Sequence, residues 1–232
     1  DNVSNSPGRS ASLAYFGRLI YSYDNRYSIQ ANFRADAFDS SKLSAENRWG
    51  YFPSVSLGWN ISNEKFIKDN VDPSVLSFLK LRASWGRNGN VNVLNNYPYS
   101  STISVGNNWY QYNVDVPGAV MSSSPSGLPN PNLTWETSEQ IDLGFDARFF
   151  NNRLNLTFDW YQKNTKDWLV NAPVMGHFGT GAPYINGGDV RNSGVELSLN
   201  WSDAIGKDFS YSIGVNGSYN KNVITRIAND DG

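Results

Sequence analysis

A chain of 232 residues with 19 basic and 21 acidic side chains, net charge −2, has length for one large domain or two small ones and lacks the basic footprint of a nucleic-acid binder. Its 14% aromatic and 17% charged content disfavours disorder. The lack of Cys excludes a disulfide scaffold, a Cys-based zinc site and a thiol nucleophile, and one His, His177, argues against His-based metal sites and Ser-His-Asp catalysis.

No apolar run reaches the roughly 20 residues of a membrane helix. The chain opens on Asp1-Asn2-Val3-Ser4 without Met or a signal peptide, which reads as a mature chain or a piece of a longer one.

Alternation of period two dominates, and it predicts eight antiparallel strands in an all-β, up-and-down arrangement. Leu13–Tyr23 is the least regular, because Phe16 and Ile20 share a face with Arg18. Next, Tyr27, Ile29, Ala31, Phe33 and Ala35 oppose Ser28, Gln30, Asn32, Arg34 and Asp36. Val55, Leu57, Trp59 and Ile61 alternate with Ser, Gly and Asn, and Leu79, Leu81, Ala83 and Trp85 alternate with Lys80, Arg82 and Ser84. In the second half Ile141–Phe149, Leu154–Tyr161, Val195–Trp201 and Phe209–Asn216 repeat the pattern, each with one apolar and one polar face.

The connections sort by parity. Residues 24–26, 151–152 and 202–208 are short links, whereas 37–50, 87–136 and 169–190 are long and rich in Gly, Pro, Asn and Ser. Residues 60–79 break the rule and predict a short helix near Glu64–Asn70 with Ser62 as a possible N-cap. In a meander, alternate connections lie at opposite ends, so one end is trimmed and the other elaborated, as in outer-membrane barrels. Tyr21, Tyr23, Trp49, Tyr51, Trp59, Trp85, Phe149, Phe150, Trp160, Trp168 and Trp201 fall near predicted strand ends, where interfacial girdles sit. A soluble β-rich carbohydrate-binding or adhesin domain also alternates, but its strands are shorter and its connections need not sort by parity.

Four blocks carry a resemblance. They are Asn47-Arg48-Trp49-Gly50-Tyr51-Phe52-Pro53-Ser54 through Trp59, with Ile61-Ser62-Asn63-Glu64 and Phe66; Leu79 through Asn90; Asn130-Pro131-Asn132-Leu133-Thr134-Trp135-Glu136-Thr137, continuing to Leu154; and Asn192-Ser193-Gly194-Val195-Glu196-Leu197. Together they resemble SusC/RagA-type TonB-linked outer-membrane transporters over about residues 13–225. The resemblance implies a 22-stranded barrel in the Gram-negative outer membrane, a plug domain, a TonB box, a SusD-type surface lipoprotein as lid and import of glycans or peptides. Neither plug nor TonB box is legible, so residues 1–232 are expected to be part of one transmembrane β-barrel domain, with the plug and the remaining strands outside this chain.

The polar face carries Arg34, Asp36, Arg82, Asp142, Asp146, Arg148, Asp159 and Glu196. An eight-stranded barrel has an interior just wide enough for side chains, whereas a wide, wet lumen solvates such charges, so they are expected to line a lumen. Asp142 and Asp146 sit about 13 Å apart along one strand, too far for a glycosidase pair at roughly 5–9.5 Å. No enzymatic activity and no cofactor are expected. The loop aromatics Trp109, Tyr110 and Tyr112, with His177, are the candidate cargo- or lid-contacting residues; outer-membrane lipid is the expected surrounding.

Overall fold

The computed structural model describes residues 11–39, 41–107 and 121–227. The strands in chain order are β1 (Ser12–Tyr23), β2 (Tyr27–Phe38), β3 (Trp49–Asn60), β4 (Leu76–Asn90), β5 (Ile103–Asn107), β6 (Met121–Pro125), β7 (Glu136–Phe149), β8 (Leu154–Asn171), β9 (Tyr184–Ile205) and β10 (Phe209–Ile227). Eight of them form one antiparallel sheet in the order β1-β2-β3-β4-β7-β8-β9-β10, with β5 and β6 as a separate hairpin. The expected eight-stranded meander is therefore present, and β1 and β10 form the two edges of an open sheet. The β5–β6 hairpin stands within the connection read from sequence as loop.

The trimmed end is made by turns whose residues accept left-handed backbone. Asp24 and Asn25 both have positive φ, 50° and 49°, as a type I′ hairpin requires. The turn after β7 is longer than the expected two residues: Phe150, Asn151 and Asn152 all lie in the left-handed region. Phe150 pays for that conformation by packing between Phe149 and Trp201. Gly206, φ 69°, makes the third link.

The expected helix is smaller and capped differently. A 3-10 turn at Ile61–Asn63 leads to α1 (Lys65–Lys68), whose N-cap is Glu64, and Ser62 lies inside the 3-10 turn. Glu64 is instead a clamp. Its carboxylate accepts from Tyr27 Oη at 2.6 Å, Trp59 Nε1 at 3.0 Å and Arg26 Nη1 at 3.0 Å. These bonds hold its pKa below the usual carboxylate range, the Tyr27 bond first and the Trp59 bond next.

At the other end the strands outrun their apolar stretches. β8 continues to Asn171 and β9 begins at Tyr184, so that connection shrinks to residues 172–183. Trp85 and Trp160 thus lie mid-strand rather than at strand ends. β3 and β4 pair only from Asn60↔Lys80 up to Ser54↔Gly86, and beyond that point they part. In this forked region lies the main buried core: Leu43, Phe52, Val91, Leu94, Leu133, Trp135 and Leu169, with Phe38 and Tyr184 against it. Most of its members come from the described parts of the long connections, which are packed there. A Cβ on Gly89 would overlap the Phe52 ring, so only glycine lets that ring close on Trp135, 5.3 Å away.

Candidate functional site

The sheet has two chemically distinct faces. On β2 the apolar face runs from Tyr27 to Ala37, a span of ten residue steps that at roughly 3.3 Å each and a tilt of about 40° rises about 25 Å, the height of a bilayer-facing band. Aromatic pairs stand at both ends of the band: Tyr15 with Trp49 and Phe33 with Tyr51 towards the long connections, Tyr27 with Trp59 towards the short turns. Leu19, Ile29, Phe33, Leu57, Leu143, Leu197 and Val215 lie exposed between or beside them. No helix among the described residues is long and apolar enough to cross a membrane, so any crossing is made by strands.

The register places all eight expected charged residues on the opposite face. It brings several together. Arg82 bridges three strands, with Nε 2.8 Å from Asp146 and Nη2 2.9 Å from Asp159. Gly144 leaves room for this triad, since a Cβ there would strike the Asp159 carboxylate. Arg34 pairs with Asp36 at 2.6 Å along its own strand. Asp142 accepts from Ser84 Oγ at 3.1 Å and Gln140 Nε2 at 2.9 Å, the Arg148 guanidinium lies 4.9 Å from the Phe78 ring centre, and Glu196 lines a recess with Asp159, Ser198 and Asn216. Five of the eight charges are thus ion-paired on the face itself, more than free solvation requires. Among the described residues no cluster of His, Asp and Glu could hold a metal ion.

At the loop-bearing end Trp109, Tyr110 and Tyr112 lie outside the described residues, and His177 sits in a 3-10 turn, Gly176–Phe178. Sequence reading missed a neutral cavity of about 390 Å³ nearby. Its walls include Asn95, Tyr97, Ser100, Thr102, Asn171 and Tyr184, and among the described residues no charged side chain lines it. Tyr97 holds positive φ, 57°, and its N–H donates to Ser41 O at 2.7 Å. Strained backbone of this kind clusters at functional sites. No periodic signal marks such a residue, because its conformation is set by a contact across the connections.

The comparisons with known proteins agree with this architecture. The model of the family described as TonB dependent receptor-like, beta-barrel, matches residues 1–232. TonB-dependent receptor SusC of Bacteroides thetaiotaomicron is 37% identical over 225 residues, covering 96% of this chain and 22% of that protein. TonB-dependent receptor P3 of Formosa agariphila is 35% identical, covering 94% and 21%. Among solved structures, the RagAB peptide importer in its closed-closed state superposes with a TM-score of 0.82 at 33% identity, over 95% of this chain and 23% of that one. The siderophore receptor PirA of Pseudomonas aeruginosa, at 16% identity and a TM-score of 0.55, shares the fold. The chain spans about a fifth of the length of the curated relatives it matches. These matches disfavour the soluble binding-domain alternative, and the chain belongs to the TonB-dependent receptor β-barrel family of the Gram-negative outer membrane.

Proposed function

We propose that this segment is part of the wall of a TonB-dependent outer-membrane importer of the SusC/RagA type, taking up glycans or peptides. The observation that carries the reading is the two-faced open sheet: an apolar band of bilayer height on one side and a charged, hydrogen-bonded face on the other. Both edges have unpaired backbone groups, which cost several kcal/mol each in lipid. The barrel is completed by strands outside these 232 residues, and it encloses a plug on which TonB acts.

In this reading Arg34, Asp36, Arg82, Asp142, Asp146, Arg148, Asp159 and Glu196 line the wet interior. The work is gated passage rather than bond chemistry, so no residue has a catalytic role. The packed loop end presents Tyr97, Tyr184 and His177 to cargo or to a SusD-type lipoprotein lid, and the same contacts are assigned to Trp109, Tyr110 and Tyr112, which lie outside the described residues. Its buried core holds that surface in one shape, which lowers the ordering cost of recognition.

The test is affinity capture of the full-length protein from detergent-extracted outer membranes. The expected result is one surface lipoprotein recovered in equal amount, and loss of cargo uptake when TonB is removed. Capture without a stoichiometric lipoprotein, or uptake indifferent to TonB, contradicts the reading.

A further inference from the structure

The apolar face of β8, β9 and β10 ends abruptly towards the long connections. The row Trp160↔Val195↔Tyr219 is followed by Gln162↔Ser193↔Lys221 and then Asn164↔Arg191↔Val223. The last apolar row is rich in aromatics, so the next two rows fall at headgroup height. Both cations there are exposed. Arg191 and Lys221 occupy diagonal positions across one strand pair, within reach of a shared ligand. The Arg191 Nε donates to Asn164 Oδ1 at 2.9 Å, which orients the guanidinium. Neither cation has an ion-pair partner among the described residues, in contrast to nearby Lys166, which Glu139 holds at 2.9 Å. At the opposite end of the same face the charge is neutralised, with Arg153 on Asp203 at 3.3 Å.

We propose that Arg191 and Lys221 form a binding site for a phosphorylated lipid headgroup in the leaflet on the loop-bearing side. The site rests on the reading of this face as the lipid face and adds to it a specific anionic partner. An oriented guanidinium beside an ammonium suits a phosphate: the first donates in a fork and the second acts as a mobile point charge. Asn164 and Gln162 supply neutral hydrogen-bonding groups on the adjoining strand.

Native mass spectrometry of the full-length protein in non-ionic detergent tests this, with bis-phosphorylated lipid A and its dephosphorylated form as probes. The double variant R191Q/K221Q should bind about thirtyfold less of the phosphorylated lipid, from about 1 kcal/mol for each of the two cations near a charged surface. The charge-matched control K65Q/K68Q, at the other end of the barrel, should bind as the parent does. The dephosphorylated lipid should be retained equally by all three proteins. Equal retention of both lipids by the parent, or no loss in R191Q/K221Q, overturns the proposal while leaving the lipid-face reading intact. Absence of any lipid or detergent belt on the protein overturns that reading instead.

Discussion

At the residue scale, Glu64 has the most exacting environment. It lies between short-turn elements and collects three donors from residues up to 38 positions away. Its folded pKa is depressed, so the stabilisation is present above its unfolded pKa and is lost as pH falls through the lower folded value. In the full-length protein, Glu64→Gln should lower the thermal midpoint in detergent at neutral pH. The gap to the parent should close as pH drops below the ordinary carboxylate range. A gap independent of pH would mean that the carboxylate charge is not what Tyr27, Trp59 and Arg26 require. Gly89 makes a second test. Gly89→Ala drives a methyl into the Phe52 ring and should cost about 1–3 kcal/mol by overpacking, read from denaturant midpoints. A neutral result would show that the core between β3 and β4 is loosely filled.

At the element scale, the proposed function assigns the apolar face of the strands to lipid and the polar face to the interior. Arg at Leu156, Phe158 or Leu197 should cost about 2–4 kcal/mol, and Arg at Asn155 or Ser198 much less. At Ile213, paired with Trp201 near the turn, the cost should be smaller because depth is less. Equal costs on both faces, in equilibrium refolding into bilayers, would refute the assignment. Alternation made these faces legible in sequence, together with all eight main strands, and turn residues marked the tight turn at Asp24-Asn25-Arg26 and the place, though not the length, of the turn at Asn151-Asn152. The overshoot of β8 and β9 was not legible: Lys163–Asp167 is polar on both sides and Trp168-Leu169-Val170 is apolar on both, since this stretch stands outside the apolar layer and no alternation is imposed on it. The β5–β6 hairpin was hidden by the small polar run Ser122-Ser123-Ser124. The core between β3 and β4 was hidden for another reason. Leu43, Val91, Leu94 and Leu133 lie in the connections and Leu169 at the end of β8, without a shared period, and only tertiary packing brings them together.

At the scale of the whole molecule, the sheet has a direction. Packed connections with a neutral cavity mark one end, and three tight turns with the Glu64 clamp mark the other. Between them lies one bilayer's height of apolar surface. The family supplies the frame, an outer-membrane barrel, and the parity of the connections supplies the orientation within it. These 232 residues hold no Cys, so single cysteines placed in them, in a full-length background with any other cysteine replaced, can report that orientation directly. Intact cells would be treated with a polyethylene-glycol maleimide too large for porins, against variants Asn92→Cys, Ser100→Cys, Asn151→Cys and Lys207→Cys. The account predicts labelling at 92 and 100 in intact cells, and at 151 and 207 only after the outer membrane is opened. Labelling of 151 or 207 in intact cells, with 92 and 100 protected, would contradict it.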